Sequence, residues 1–256
     1  MNKIKFLGTA GARFVVMKQL RASGGIWLTL DDTNVLIDPG PGCLVRCLSS
    51  KPKLNPSDLD GIILTHKHID HSNDVNIMIE AMTNGGFKKK GMVFAPKDAF
   101  EDDAVIFKYV KNYVEKIVIL KEKYNYKIKN ISFSTPIKHL HRVETYGLNF
   151  FGKNNTISII TDTKYFKGIE SYYKGDVLII NVVLFEEKPE IDHLSLKDAE
   201  NILLTNKPKL GIFTHFGMTM IKLKPWKIAE DLSKKLGVKI IAAGDGMEID
   251  LDKYSK

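Results

Sequence analysis

The chain has 256 residues, 44% apolar and 27% charged, close to the averages of a globular protein, which excludes disorder and fibrous repeats. Its longest apolar stretches, such as Ile157–Ile160 and Val177–Ile180, fall far short of the roughly 20 residues of a membrane span. Lysine and arginine exceed aspartate and glutamate by 38 to 30, a formal net charge of +8, which favours anionic partners such as phosphate esters or nucleic acid but is also an ordinary way to stay soluble.

Lys3–Gly8 alternates as a strand, Gly25–Leu30 as a second and Asn34–Asp38 as a third, closed by the turn-forming run Pro39, Gly40, Pro41, Gly42. Asn2 and Lys3 lead directly into the first strand with no cleavable apolar leader, so a cytoplasmic protein with no membrane partner is expected. Cys43 and Cys47 sit four apart on a predicted short helix over Cys43–Leu48 and read as two reduced, partly buried thiols, since a structural zinc needs four ligands. After a turn at Asn55–Asp58 comes a buried strand, Gly61–Thr65, and then a helix from Asp74 to about Met82, with Ser72, Asn73 and Asp74 competent as caps and Gly85 and Gly86 ending it.

A strand over Met92–Ala95, a helix over Ala99–Tyr109 and strands over Lys116–Leu120 and Lys127–Ser134 follow. Leu148–Thr161 reads as a hairpin about Lys153, Asn154 and Asn155, and Val177–Val183 as a further strand. The last third alternates: helix Ser195–Asn206, strand Leu210–Thr214, helix Pro225–Leu236, strand Val238–Ala242 and a short strand after Gly246. Antiparallel early strands, later strands separated by helices and no linker predict an α/β protein, one domain over residues 1–256, with two mixed sheets packed together and helices outside, a four-layer αββα sandwich.

The segment Thr65–His71 reads T-H-K-H-I-D-H and places His66, His68, Asp70 and His71 at the end of a predicted strand, in a chain with seven histidines. Residues two apart in an extended stretch point the same way, so His66 and His68 can grip one ion while the turn carrying Asp70 and His71 reaches a second. His141, Asp162, His193 and His215 each lie where a predicted strand meets a loop, the place where sites are built. His139 is expected to share a strand face with His141 and to be structural or to brace the site from behind. Phe87–Gly91, F-K-K-K-G, reads as solvated surface. Lys222, Lys224, Trp226 and Lys227 interleave cations with an aromatic ring that either meets a nucleotide or is buried at a helix start.

The pattern H-x-H-x-D-H followed by a lone His, a lone Asp and a further His resembles the metallo-β-lactamase superfamily, and its phosphodiesterase branch most, which includes tRNase Z and small cyclic phosphodiesterases. Six segments carry the resemblance in order: F-L-G-T-A-G at Phe6–Gly11, N-V-L-I-D-P-G at Asn34–Gly40, H-R-V-E-T-Y-G-L at His141–Leu148, I-I-T-D-T at Ile159–Thr163, D-H-L-S-L-K-D-A at Asp192–Ala199 and F-T-H-F at Phe213–Phe216. The resemblance implies that His66, His68 and His141 hold one divalent metal and Asp70, His71 and His215 another, that Asp162 bridges them with room for a bridging hydroxide as nucleophile, and that Asp38 braces the metal loop. It further implies that Asp70 orients the nucleophile and that His193 is catalytic, serving the oxyanion or the leaving oxygen. Nitrogen and carboxylate donors without thiolate suit zinc and also admit manganese or iron.

The expected activity is therefore a dinuclear metal-dependent phosphodiesterase acting on a small cyclic or nucleotide diester. An acyl hydrolase on a lactone or thioester and a tRNase Z-type RNA 3′-end nuclease are the alternatives, and nucleic acid is not the favoured partner. A regulatory protein that has lost the chemistry is disfavoured by the complete ligand set. Dimerisation, common in the branch, implies a homodimer whose interface the residues do not place.

Overall fold

The computed structural model describes residues 1–255. In chain order the elements are β1 (Lys3–Phe6), α1 (Ala12–Met17), β2 (Ile26–Leu30), β3 (Thr33–Ile37), α2 (Cys43–Ser49), β4 (Gly61–Ile63), α3 (Ile69–Ser72), α4 (Val75–Thr83), β5 (Met92–Ala95) and β6 (Lys116–Ile119). They continue with β7 (Tyr124–Ile128), β8 (Ile131–Thr135), β9 (Leu148–Phe151), β10 (Thr156–Ile160), β11 (Val177–Asn181), α5 (Leu196–Asn206), β12 (Leu210–Thr214), α6 (Met218–Lys222), α7 (Pro225–Leu236), β13 (Ile240–Ala242) and β14 (Glu248–Asp250).

Side-chain alternation decides which way each strand faces. Ile26, Leu28 and Leu30 of β2 and Val35 and Ile37 of β3 point into one core with Ile157, Ile159, Val177, Ile179, Leu210 and Ile212 from the other sheet. The intervening Trp27 and Leu36 pack outward against α2 and α4, and Ile160, Leu178, Ile180 and Phe213 outward against α5 and α7. Both faces of the central strands are thus apolar, which explains their nearly continuous Ile, Leu and Val runs. Each such buried side chain contributes roughly 1.5–3 kcal/mol. The result is the expected αββα sandwich: one seven-stranded sheet of order β14-β1-β2-β3-β4-β5-β6 against another of order β13-β12-β11-β10-β9-β8-β7.

The helices follow their local signals. Ser195 caps α5 in a reciprocal box with Asp198, and Ala199, Ile202 and Leu203 form its buried stripe. Pro225 opens α7 and the left-handed Gly237 closes it. Cys43 and Cys47 are both free and fully buried on α2.

Two expectations fail in the middle of the chain. Ala99–Tyr109 is not a helix: only single turns form at Lys97–Ala99 and Val110–Asn112. Asp103 adopts a left-handed backbone that breaks any helix there, and the Phe107 amide donates instead to Asn76 Oδ1 on α4 at 2.8 Å. Lys127–Ser134 is not one strand: Lys127 and Ile128 end β7, Lys129 and Asn130 turn the chain with Lys129 left-handed, and Ile131–Ser134 return in β8. The short helices α1, α3 and α6 are absent from the sequence reading because four to six residues carry too little periodicity to declare themselves.

β3, β4 and β5 are parallel, as are β10, β11 and β12. The carboxyl ends of both parallel sets open to one end of the sandwich, the general location of sites in α/β sheets.

Candidate metal centre

Every residue expected to hold metal or to act in catalysis reaches that end. Asp38 follows β3, and His66 and His68 occupy the loop after β4, with Asp70 and His71 on α3. Asp162 lies just past β10, and His215 directly follows β12. His141 and His193 come from loops, and His139 is in a loop beside His141 rather than on a strand. Asp38 and His215 are both held in the left-handed backbone region, a cost of about 1–3 kcal/mol for such residues that surrounding structure must offset. Part of that surround is backbone at close quarters. A Cβ on Gly11 would strike the carbonyl of His215 and one on Gly40 the carbonyl of Asp70, so only glycine lets these segments approach.

The cluster resolves into two triples. One ligand atom each from His66, His68 and His141 lie within 4.8 Å of one another, and so do those of Asp70, His71 and His215. Between them stands Asp162, whose Oδ2 is 3.8 Å from His66 Nε2 and 3.4 Å from Nε2 of both His71 and His215. Asp70 Oδ2 lies 3.7 Å from His71 Nε2 and 3.6 Å from His215 Nε2. His193 Nδ1 is 3.6 Å from the same Asp162 oxygen. A third triple, Asp38 with His66 and His71, meets the same distance, but Asp38 already accepts from the Thr65 amide, the Thr65 hydroxyl and His71 Nδ1 at 2.7, 2.7 and 2.9 Å.

These outer hydrogen bonds aim the imidazoles. His71 Nδ1 donates to Asp38, leaving the Nε2 lone pair for the centre. The Thr65 hydroxyl, having given its proton to Asp38, accepts from His66 Nδ1 at 3.0 Å, so His66 Nε2 also presents a lone pair. His141 Nδ1 donates to the Asp192 carbonyl at 3.0 Å, and its Nε2 faces His68 Nδ1 at 3.1 Å. Partners of this kind fix the tautomer and orientation of metal-binding histidines.

Burial lowers His66, with His71 adding to the effect, and lowers His68 to about 4. Burial also opposes charge on His71, yet Asp70, Asp38 and Asp162 outweigh it and raise that imidazole. Asp162 is pushed up by burial but held well below the carboxylate range by His215, His193 and His71. His193 is lowered by burial.

Two observations fit this cluster to divalent cations. His66 Nε2 is buried with no hydrogen-bond partner, as is His193 Nδ1, and an orphaned buried polar atom costs about 1–3 kcal/mol. His71 and His215 also bring their Nε2 atoms to 3.3 Å, and His68 and His141 bring Nδ1 and Nε2 as close, contacts that call for a shared proton or cation. The donor set, imidazole nitrogen and carboxylate oxygen, is that of zinc, manganese or iron sites.

Three residues escaped the sequence reading. Asn181, the last residue of β11, donates to Asp162 Oδ1 at 2.8 Å and leaves Oδ2 as the oxygen facing both triples. Thr65 relays Asp38 to His66. Tyr173 donates at 2.6 Å to His139 Nε2, whose Nδ1 donates to the Asp162 carbonyl at 3.2 Å; burial lowers His139 to about 4, so it is a neutral strut for the Asp162 backbone. Only the register of β11 beside β10 and β12, which pairs Asn181 with Thr214, would have pointed to the first.

The cluster opens into a cleft of about 950 Å³ lined by His68, Asp70, His141, Asp162 and His193, by the cations Arg13, Arg142 and Lys188 and by the carboxylates Glu186 and Asp192. Trp226 is 53% exposed, so its ring is not buried at the start of α7, and Phe87, 93% exposed, lies outside the cleft lining.

The model of the β-lactamase superfamily domain matches residues 33–216. An uncharacterized protein of Methanocaldococcus jannaschii is 28% identical over 260 residues, covering 97% of this chain and 95% of that one. Ribonuclease Z of Kineococcus radiotolerans is 33% identical over 100 residues, 39% of this chain and 30% of the other. Among solved structures, the metallo-β-lactamase fold protein YhfI from Bacillus subtilis superposes with a TM-score of 0.80 at 17% identity, over 97% and 98% of the two chains. The short form of human tRNase Z does so with a TM-score of 0.72 at 16% identity, over 97% and 98%. With the domain model spanning well over half of its length, the chain belongs to the β-lactamase superfamily and is a metal-dependent hydrolase of the metallo-β-lactamase fold.

Proposed function

We propose that residues 1–256 form one dinuclear phosphodiesterase domain, with His66, His68 and His141 holding one divalent cation, Asp70, His71 and His215 the other, and Asp162 shared. The observation that carries this reading is the position of Asp162 Oδ2, within 3.4–3.8 Å of imidazoles from both triples. Zinc is the metal we assign. A bound pair of such ions supplies Lewis acidity at the diester oxygens and lowers the pKa of water.

The remaining work belongs to the protein's own groups. Asp38 and Thr65 hold His71 and His66 in the tautomers that keep their Nε2 lone pairs inward. Asp70 accepts a hydrogen bond from the attacking water and directs it at phosphorus. His193, with Nδ1 buried beside Asp162, gives a proton to the leaving oxygen. Arg13, Arg142 and Lys188 draw in an anionic diester, which favours that substrate over an uncharged lactone or thioester. The local likeness to Ribonuclease Z supports RNA ends as a second substrate.

Hydrolysis of bis(p-nitrophenyl) phosphate by metal-loaded protein tests the reading, with Asp70→Ala as control. Turnover that disappears in the variant is expected. A protein that carries two metals and leaves the diester intact would overturn it.

A further inference from the structure

The cleft offers more apolar surface than a phosphate needs. Phe14 on α1, Ile69 on α3 and Leu223 just past α6 all line it and remain 60%, 68% and 44% exposed. α1 packs against both α3 and α6, so the three side chains belong to one bank. That bank is the His215 side, because Gly11 at the start of α1 lies against His215 and its amide donates to the Phe216 carbonyl at 3.0 Å. His193 lies beside His141, their rings 5.2 Å apart.

Single exposed apolar side chains are ordinary, but three lining one cleft beside a polar site offer apolar surface that a bound group covers. The shape of the patch restricts that group. A flexible acyl chain gains its binding from burial on all sides, which needs a tunnel; side chains left about half exposed along an open cleft cover one face only, which suits a planar ring. Phe14 supplies a ring for it to stack on. The neighbouring Arg13, with Arg142, supplies positive charge for the diester anion, while Phe14, Ile69 and Leu223 carry none, so the arm that rests on them is neutral.

We propose that Phe14, with Ile69 and Leu223, forms a shelf that binds a planar aromatic arm of the substrate, a nucleobase or aryl group, and makes the enzyme select diesters bearing one. The inference rests on the phosphodiesterase reading. The shelf takes the arm that stays on phosphorus, while His193 serves the leaving oxygen.

The test keeps one leaving group and changes the other arm: p-nitrophenyl phosphodiesters carrying methyl, phenyl or 5′-thymidyl. The phenyl and thymidyl esters are expected to show KM about tenfold below the methyl ester, the size of one ring-on-ring contact. Phe14→Ala should erase that difference and leave the methyl ester unchanged, while Phe14→Trp retains it. Equal KM for all arms in the unmodified enzyme, or equal losses on all three in Phe14→Ala, would overturn the shelf. Sedimentation of both proteins gives a second check: a dimer that Phe14→Ala dissociates while the arm preference survives makes the patch a contact between copies and also overturns it. If no diester is turned over, calorimetric binding of adenosine 5′-monophosphate against methyl phosphate decides separately. A preference for the nucleotide that Phe14→Ala removes upholds the shelf while the diesterase reading falls, and equal binding rejects the shelf.

Discussion

The N-terminal sheet delivers His66, His68, Asp70 and His71 from six consecutive residues after one strand, whereas the C-terminal half delivers His141, Asp162 and His215 from three segments far apart in the chain. Each triple draws two members from the first sheet's loop and one from the second half: His66 and His68 with His141, Asp70 and His71 with His215. Neither triple can close until the two sheets dock, and Asp162 is the point they have in common. The comparison teaches that the cluster ties the two halves of the sandwich together, with the near side preassembled locally and the far side assembled by register.

Asp162→Ala breaks the comparison most severely, because it removes the carboxylate oxygen that lies against imidazoles of both triples. Turnover should fall by about a thousandfold or more, and metal analysis should find neither position filled stoichiometrically. His68→Ala, which touches one triple, should forfeit one metal and keep the other. If Asp162→Ala retains two metals and turns over normally, the sharing role is wrong.

His193 tests the C-terminal side from outside both triples. His193→Ala should lower kcat by on the order of a hundredfold or more, as the loss of a proton donor does, with metal content unchanged. Loss of a metal in that variant would make His193 a ligand and reassign its buried Nδ1.

The tie itself is tested by chelation. At a metal concentration about a hundredfold above Kd, bound ions stabilise a fold by about 2.7 kcal/mol, so the stripped protein should melt earlier. Hydrogen exchange should quicken at 65–72 and 213–217, the segments that meet there. An unchanged melting temperature would mean that the sheets hold together without help from the cluster.

What the sequence made legible divides along the same line. T-H-K-H-I-D-H is dense enough in one place to read directly, and the flanking strand Gly61–Ile63 announces itself by its Ile-rich run. His141, Asp162 and His215 could be nominated only as single residues at strand ends, and a resemblance was needed to join them. Asn181 was illegible because a lone Asn at the end of an apolar strand has no pattern; its role comes from standing one strand away from Asp162. The failed helix over Ala99–Tyr109 has the same origin, since a side chain on α4 claims an amide that local pattern had assigned to a helix.

Asp38 and Asn181 are counterparts in the two sheets, each at a strand's carboxyl end and each holding a site residue in place. Asp38→Asn weakens the partner of both Thr65 and His71 and should lower metal affinity by roughly 10–100-fold. Asn181→Leu loses one hydrogen bond to one oxygen of Asp162 and should cost less. Metal titration of the two variants orders them, and a reversed order would place the stronger brace in the C-terminal sheet.

The smallest effect is expected at the opposite end of the strand that carries Asn181. Asp176 precedes β11 and accepts from the Thr156 hydroxyl at 2.6 Å and amide at 3.3 Å, with Lys209 3.3 Å away. Burial pushes its carboxyl up, but Thr156 and Lys209 together hold it below its ordinary value. A carboxylate whose pKa is lower folded than unfolded contributes stability that is fully present above the unfolded pKa, about 4, and is lost as pH falls through the folded one. Asp176→Asn should therefore be slightly less stable than the parent at neutral pH, by no more than about 1 kcal/mol given the solvent access of the pair. The two should converge as pH drops below about 4, and turnover should not change. Denaturant melts across that range check the sign: a gap that persists in acid would assign the loss to packing rather than to the carboxylate. A change in turnover would show that the end of β11 remote from the cluster still moves Asn181.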